Sequence, residues 1–288
     1  MSETKITAEV RASCEAYVGN RREFHDSMGP EAADKLATIL GAEKPAKTLP
    51  PTWHWAYFTT AVPLGDVGHD GHEKLGLFLP PAPFHRRMWA AGEVHILCPL
   101  ELGVPATKRS QIREVSFKSG RTGDLCFVTV AHTVTQSGQT SIEETQTIVY
   151  RDRGLPEKAL RQPDDPIPVG YHVYPDTQLV AYSSVLQNAH RIHWDRAFCN
   201  DVEGYPGLVV HGPLMATQLC DAMRGGAGAC KYSYRALAPV FETTPVRILP
   251  GEPGGERKGV IERSDGVVSM KGRYSAIQEN PEGQMGLT

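Results

Sequence analysis

Two imidazoles three positions apart, flanked by amide, guanidinium and carboxylate groups, mark the segment Gln187-Asn188-Ala189-His190-Arg191-Ile192-His193-Trp194-Asp195. The whole chain holds 11 histidines, and a third of this group, His211, follows closely. An imidazole changes charge near neutral pH, so it can take a proton from water or return one. His193 and His190 are therefore candidates for acid–base work, in a cluster with Asn188, Arg191 and Asp195. The plain alternative is a polar loop that happens to carry histidines. His193-x-Asp195 with His211 also has the residue types of a two-histidine, one-carboxylate metal site. His211 follows too soon for the strands that usually intervene in such sites, so no metal is expected. Cys199 falls in an expected helix without an activating partner, which argues against a thiol nucleophile.

A second candidate is Glu203-Gly204-Tyr205-Pro206-Gly207-Leu208-Val209-Val210-His211-Gly212-Pro213-Leu214. Proline suits the first turn of a helix, where its missing N–H would lack a partner anyway. Gly212 then lies at the positive end of the helix dipole. Without a Cβ, its backbone is open to close approach. An amide placed there can stabilise charge developing on a carbonyl oxygen. The bland reading is an ordinary Gly-Pro helix start.

These residues need a scaffold, and its parts can be read from periodicity. Residues 6–40 read as helical with a break at Met28-Gly29-Pro30, and Trp53–Val62 as a strand. Gly65–Phe84 is irregular, with scattered histidines at 69 and 72. Thr107–Lys118, Asp124–Gln136 and Gln139–Arg151 form an antiparallel meander, its turns at Ser119–Gly123 and Ser137-Gly138. In the middle strand Cys126, Val128, Val130 and Val134 share one face. Residues 152–170 bring prolines and charges and separate the halves. Beyond them, Gln178–Leu186 reads as a strand, Trp194–Asp201 as a short helix and Pro213–Met223 as a longer one. Strands follow at Tyr232–Phe241, Pro245–Leu249, Arg257–Glu262 and Val267–Tyr274. Ser264-Asp265-Gly266 echoes Ser137-Gly138, favouring two copies of one unit.

Composition fits this picture. The chain has 288 residues, 30 Lys+Arg against 33 Asp+Glu, and a formal charge of −3, without the basic excess of a nucleic-acid binder. Hydrophobic residues make up 40 %, enough to build a core. No apolar run is long enough to span a membrane. The six cysteines are widely spaced with no C-x-x-C pair. Acidic residues stand where a secretory signal would be basic. A reducing, cytoplasmic setting is expected.

The motifs Asn188–His193 and Glu203–Pro213 together resemble the signature of the MaoC-like, (R)-specific enoyl-thioester hydratases and dehydratases of hot-dog fold. Arg87-Met88-Trp89-Ala90-Ala91-Gly92, Phe117–Val130 and Glu144–Arg151 are similar to first-half motifs of its double-hot-dog branch, which holds mesaconyl-C4-CoA and itaconyl-CoA hydratases and the mitochondrial-type 3-hydroxyacyl-thioester dehydratase. The resemblance implies an α+β double hot-dog, each repeat a long helix on an antiparallel sheet. Residues 1–151 would form a structural repeat shaping the substrate tunnel, 152–172 a linker, and 173–288 the repeat carrying the active site. The family motif reads Asp-x-Asn-Pro-x-His. Here His193 takes the His position, Asn188 that of the Asp, and His190-Arg191 that of Asn-Pro. An amide can position water but cannot exchange its proton, so His193 becomes the expected base, with His193 or His190 protonating the α-carbon.

The implied activity is reversible hydration of an enoyl-CoA, with a branched C5 dicarboxylic acyl group giving citramalyl-CoA. Arg191, Arg86, Arg87 and His211 are the candidate substrate contacts. No cofactor is implied, since CoA arrives as part of the substrate. The alternatives are a 3-hydroxyacyl-thioester dehydratase of fatty acid synthesis and a non-catalytic acyl-CoA-binding protein that kept the fold. A single double-repeat chain already contains the pairing that single-repeat relatives obtain by dimerising, and a further homodimer is left open.

Overall fold

In the computed structural model, residues 6–120, 123–152, 154, 158–162, 164–226, 228–279 and 285–287 are described. One antiparallel sheet runs through the molecule. Its first half consists of β1 (Arg21–Asp26), β2 (Arg86–Ile96), β3 (Ala106–Gly120), β4 (Gly123–Gln136) and β5 (Gln139–Arg151), in the order β1-β3-β4-β5-β2. Its second half continues as β6 (Cys230–Ala236), β9 (Val268–Glu279), β8 (Arg257–Arg263) and β7 (Val246–Leu249), with β10 (Met285–Leu287) against β9. β2 pairs with β5 on one side and β6 on the other, so the halves fuse edge to edge.

The second half reproduces the first. Its counterpart of β1 is reduced to a bridge between Val209 and Phe241, where the Val210 amide donates to the Val240 carbonyl at 2.8 Å. A helix follows the opening strand in each half: α2 (Pro30–Leu40) in the first and α4 (Gly212–Met223) in the second. This is a double hot-dog.

The sheet grips α4 because two facing positions carry no side chain. Gly259 and Gly272 pair directly across β8 and β9. A Cβ at Gly259 would lie 2.8 Å from Met223 Sδ, and one at Gly272 2.9 Å from Leu219 Cδ2. Leu214, Met215, Leu219, Cys220 and Met223 of α4 are buried there. At ~1.5–3 kcal/mol per large apolar side chain, this face anchors the helix whose first residue is Gly212. In β4 the expected face is buried, with His132 in the same row. The expected turn between β3 and β4 includes residues 121 and 122, and the 152–172 stretch includes 153, 155–157 and 163, all outside the described residues.

Four local expectations are corrected. The span 6–40 contains a strand: α1 (Ala8–Glu15) ends, Gly19 turns the chain at φ 95°, and Arg21–Asp26 pairs with β3. Trp53–Val62 is not a strand. Thr52 and Phe58 have positive φ, and between them Trp53–Ala56 make one 3-10 turn that buries Trp53. Gln178–Leu186 lies in a helix, α3 (Asp176–Val185), started by Pro175 and by Asp176 in its first turn. The expected helix at Trp194–Asp201 is displaced: residues 196–203 are helical, ending in a wide turn at Phe198–Glu203, and a separate 3-10 turn at Arg191–His193 precedes them. β2 was not anticipated as a strand. No helix among the described residues is long and apolar enough to cross a membrane.

Candidate active site

The segment carrying the histidines is a tightly bonded turn. After α3, Gln187 adopts φ 52°, and the Asn188 amide donates to the Ser183 carbonyl at 2.8 Å. Asn188 Oδ1 accepts the His190 backbone N–H at 3.0 Å, a side-chain mimic of a backbone turn. Asn188 thus uses its oxygen to shape the loop. The loop is fixed to the second repeat where the Val209 amide donates to the Ile192 carbonyl at 2.8 Å.

His193 sits 7 % exposed at the centre. Its Nδ1 lies 2.7 Å from the Val209 carbonyl oxygen. A carbonyl only accepts, so Nδ1 carries the proton and Nε2 the lone pair. Burial pulls the imidazole down to about 4, although the Val209 carbonyl favours its charged form. At neutral pH it is therefore an unprotonated base with a fixed tautomer.

The ring of His211 stacks on His193, with centroids 3.6 Å apart and planes 19° from parallel. His211 is fully buried, and its Nε2 is 2.8 Å from Ser183 Oγ. Burial, with His193 beside it, holds its imidazole well below the usual range. Expected to contact substrate, His211 instead forms the floor beneath the base.

Gly212 follows directly as the first residue of α4, and its N–H has no acceptor within the helix. The space its missing Cβ leaves is taken by an aromatic ring, for Trp89 Cε3 would lie 2.6 Å from a Cβ there. Trp89 stacks on Tyr234 at 4.0 Å, and Trp55 stands edge-on to both rings. The missing Cβ thus makes room for Trp89. Trp55 is held in turn by Glu144, which accepts its Nε1–H at 2.9 Å and pairs with His54 Nε2 at 2.8 Å. Burial alone would raise that carboxyl, but the hydrogen bond and charge of His54 hold it down at about 2.

All three candidate arginines have carboxylate partners. Arg86 is buried, its Nε donating to Glu203 Oε2 at 2.9 Å and a terminal NH2 to the Glu203 carbonyl, while its guanidinium covers the Tyr205 ring. Arg191 pairs with Asp195 at 2.6 Å and lies over Phe198. Arg87 donates to Asp70 Oδ2 at 3.1 Å, but its buried Nε has no partner.

Asp70 and His72 come from the irregular region of the first half. Asp70 Oδ2 also lies 3.2 Å from His72 Nδ1 and 4.0 Å from His190 Nε2. The His72 and His190 rings are 4.1 Å apart, and His190 meets His193 edge-on at 5.4 Å. Burial first, then the charges of His193, Arg87, His211 and His69, keep the His190 imidazole well below its ordinary value. Asp70, His72 and His190 bring ligand-type atoms within 4.8 Å of one another. The oxygen a cation would take is already bonded to the Arg87 guanidinium and to His72, while His190 stands beyond hydrogen-bond distance at 4.0 Å.

Sequence reasoning brought His190, His193, His211 and Gly212 together and missed Asp70, His72, Trp89 and Ser183. The Asp70-Gly71-His72 turn lay open to notice as an Asp-Gly pair with a histidine, but nothing in the sequence connects it to residue 190. A cleft of about 450 Å³ opens where α2 meets the end of α3, lined by Lys35, Tyr57, Ser184, Val185 and Gln187, the residues leading into Asn188.

The sequence model of the hydroxyacyl-thioester dehydratase type 2 family matches residues 52–242, a span that includes every candidate site residue. The mesaconyl-C(4)-CoA hydratase of Chloroflexus aurantiacus is 39 % identical, covering 84 % of this chain and 90 % of that protein. The mitochondrial hydroxyacyl-thioester dehydratase type 2 of Schizosaccharomyces pombe is 28 % identical, covering 80 % and 89 %. Among solved structures, HtdX of Mycobacterium tuberculosis superposes with a TM-score of 0.65 at 14 % identity, covering 89 % of this chain and all of that one. A MaoC-like dehydratase from Phytophthora capsici gives 0.61 at 14 % identity, covering 94 % and 99 %. Fold, motifs and sequence agree: the chain belongs to the hydroxyacyl-thioester dehydratase type 2 family of MaoC-like hydro-lyases.

Proposed function

We propose that the protein adds water reversibly across the double bond of an α,β-unsaturated acyl-CoA. The observation that carries this reading is His193, whose Nδ1–H is tied to the Val209 carbonyl and whose ring stacks on His211, the residue that caps α4. The thioester carbonyl lies at the Gly212 amide. Asn188 holds a water against the β-carbon, and His193 removes its proton as the oxygen attacks. Electrons move onto the thioester oxygen, where the amide and helix dipole stabilise them. The first repeat supplies the wall of Trp55 and Trp89.

The acyl group we favour is mesaconyl at C4, giving citramalyl-CoA, because the 39 %-identical relative bears that activity in its name. The distal carboxylate needs a cation. Of the three arginines Arg87 is the choice, since it is the one whose Nε is buried without a hydrogen-bond partner among the described residues. Itaconyl-CoA offers the same carboxylate on an isomeric chain. The second reading, dehydration of 3-hydroxyacyl thioesters, is favoured by the family match and the yeast relatives. A cytoplasmic setting is consistent with six free cysteines.

Loss of enoyl-thioester absorbance with mesaconyl-C4-CoA, itaconyl-CoA and crotonyl-CoA decides between them. Preference for mesaconyl-C4-CoA supports the first reading, and preference for crotonyl-CoA the second. Calorimetric binding of all three without turnover would replace both with an acyl-CoA-binding protein.

A further inference from the structure

The hydration reading does not by itself name the group that protonates the α-carbon. His193 has just taken a proton from water, and His190 is 8 % exposed. Asn188, whose side chain is an amide, cannot exchange a proton.

The first repeat reaches into this gap. The segment Gly68–His72 closes on itself, the Gly68 amide donating to the His72 carbonyl at 2.7 Å and the Gly71 amide to the Gly68 carbonyl at 3.0 Å. It is docked on the catalytic turn, for the Arg191 amide donates to the Asp70 carbonyl at 2.8 Å. Gly71 packs so closely on the Ala189 carbonyl that no Cβ fits, and its φ of 91° suits glycine. The carboxylate and imidazole this docking delivers are more open than the residue they face. The His72 side chain is 29 % exposed and that of Asp70 20 %.

We propose that His72 and Asp70 form a proton relay from solvent to His190, which protonates the α-carbon of the enolate. The inference rests on the hydration reading above. In the step, a proton passes from His72 Nδ1 to Asp70 Oδ2, 3.2 Å away, and on to His190 Nε2 when the carboxylate and imidazole close the 4.0 Å between them to hydrogen-bond distance. His190 gives it to the α-carbon as the enolate electrons return to form the C–H bond and restore the thioester carbonyl. His72 is reloaded from water, and His193 returns its proton to solvent, so one water is added and nothing is oxidised. The groups facing the relay are Arg87, whose guanidinium donates to Asp70 Oδ2, and His69, Arg191, His193 and His211. His190 is a poor resting acid because burial favours its neutral form, which is why it needs a partner that delivers the proton on demand. His190 would touch the substrate; Asp70 and His72 act through it.

The test is the full-length His72→Ala variant, assayed on crotonyl-CoA and mesaconyl-C4-CoA with and without added imidazole, alongside Asp70→Asn. Expected are a kcat lowered about tenfold or more, KM within about twofold, and partial recovery of kcat in His72→Ala with imidazole, a small acid that fits the vacated space. An unchanged kcat overturns the relay, and so does a loss that imidazole leaves untouched and that accompanies a lowered melting temperature. A wild-type protein that hydrates neither thioester sinks the hydration reading itself, whereas an active wild type with an unaffected His72→Ala sinks the relay alone.

Discussion

His193 and His211 lie face to face at 3.6 Å, the first tied to a backbone carbonyl and the second to Ser183. Stacking and two hydrogen bonds fix the rings together, so the His193 imidazole is held in one orientation. Replacing His193 by Gln removes the lone pair while keeping size and polarity. It is expected to lower kcat by about 100-fold or more with little change in thermal unfolding. His211→Leu leaves the base but removes its floor and orphans Ser183 Oγ. Activity and melting temperature should then fall together. Steady-state kinetics and calorimetric melting of the two variants separate these roles.

The pH dependence follows from burial. His193 and His132 are pulled down to about 4, and His190 and His211 well below their usual value, in each case chiefly by desolvation. An unfolded imidazole titrates near 6.5, so between about 4 and 6.5 the unfolded chain binds more protons. Stability must therefore be fully present above 6.5 and be lost as pH falls toward 4. The melting temperature should drop between pH 7 and 5, and less steeply in His193→Gln. Activity behaves differently. The base stays unprotonated at pH 5.5, where a free imidazole is mostly charged, so kcat/KM should hold well below 6.5. An acid limb centred at 6.5 would contradict the buried tautomer.

What the sequence revealed depended on the range of the forces involved. The β3–β5 meander was legible because alternation such as Cys126-x-Val128-x-Val130 is a local record of a half-buried sheet. α4 was legible from its Gly-Pro start and the stripe Met215, Leu219, Ala222 and Met223. α3 was misread because Leu179, Val180 and Tyr182 carry a strand-like composition, whereas its helix is decided at Pro175–Asp176 and by contacts such as Gln178 Nε2 to the Ile39 carbonyl. The histidine cluster was visible as composition, but its first-repeat half was not. His69 and Arg191, which touch in the folded chain, are 122 positions apart, and no local pattern records a loop docked across that distance.

Gly212 offers a test of how the helix start is built. An alanine there would place its Cβ 2.6 Å from Trp89 Cε3, and Trp89 is wedged between that glycine and Tyr234. Overpacking of this kind costs about 1–3 kcal/mol, and shifting α4 would also move the amide off the carbonyl oxygen. Gly212→Ala should lower both melting temperature and kcat. Adding Trp89→Leu should recover melting temperature by relieving the clash, so the pair will not be additive. Additive losses would show that Trp89 does not set the position of Gly212.

Arg86 separates scaffold from substrate recognition. Its guanidinium is bonded to both the carboxylate and the backbone carbonyl of Glu203 and lies on the Tyr205 ring, all within the segment that leads to Gly212. Removing one partner of a buried pair strands the other charge, at a cost of about 3–5 kcal/mol. Arg86→Leu is therefore expected to lose much of the protein's stability in denaturant titrations. Glu203→Gln, which keeps an acceptor for the guanidinium, should lose less. Because the guanidinium is already committed, the KM for a dicarboxylic thioester should barely change in Glu203→Gln. In Arg87→Leu that KM should rise, while the KM for crotonyl-CoA, which has no distal carboxylate, stays within about twofold, a shift worth ~0.4 kcal/mol. Equal rises for both thioesters would remove Arg87 from carboxylate recognition and leave it as the partner of Asp70.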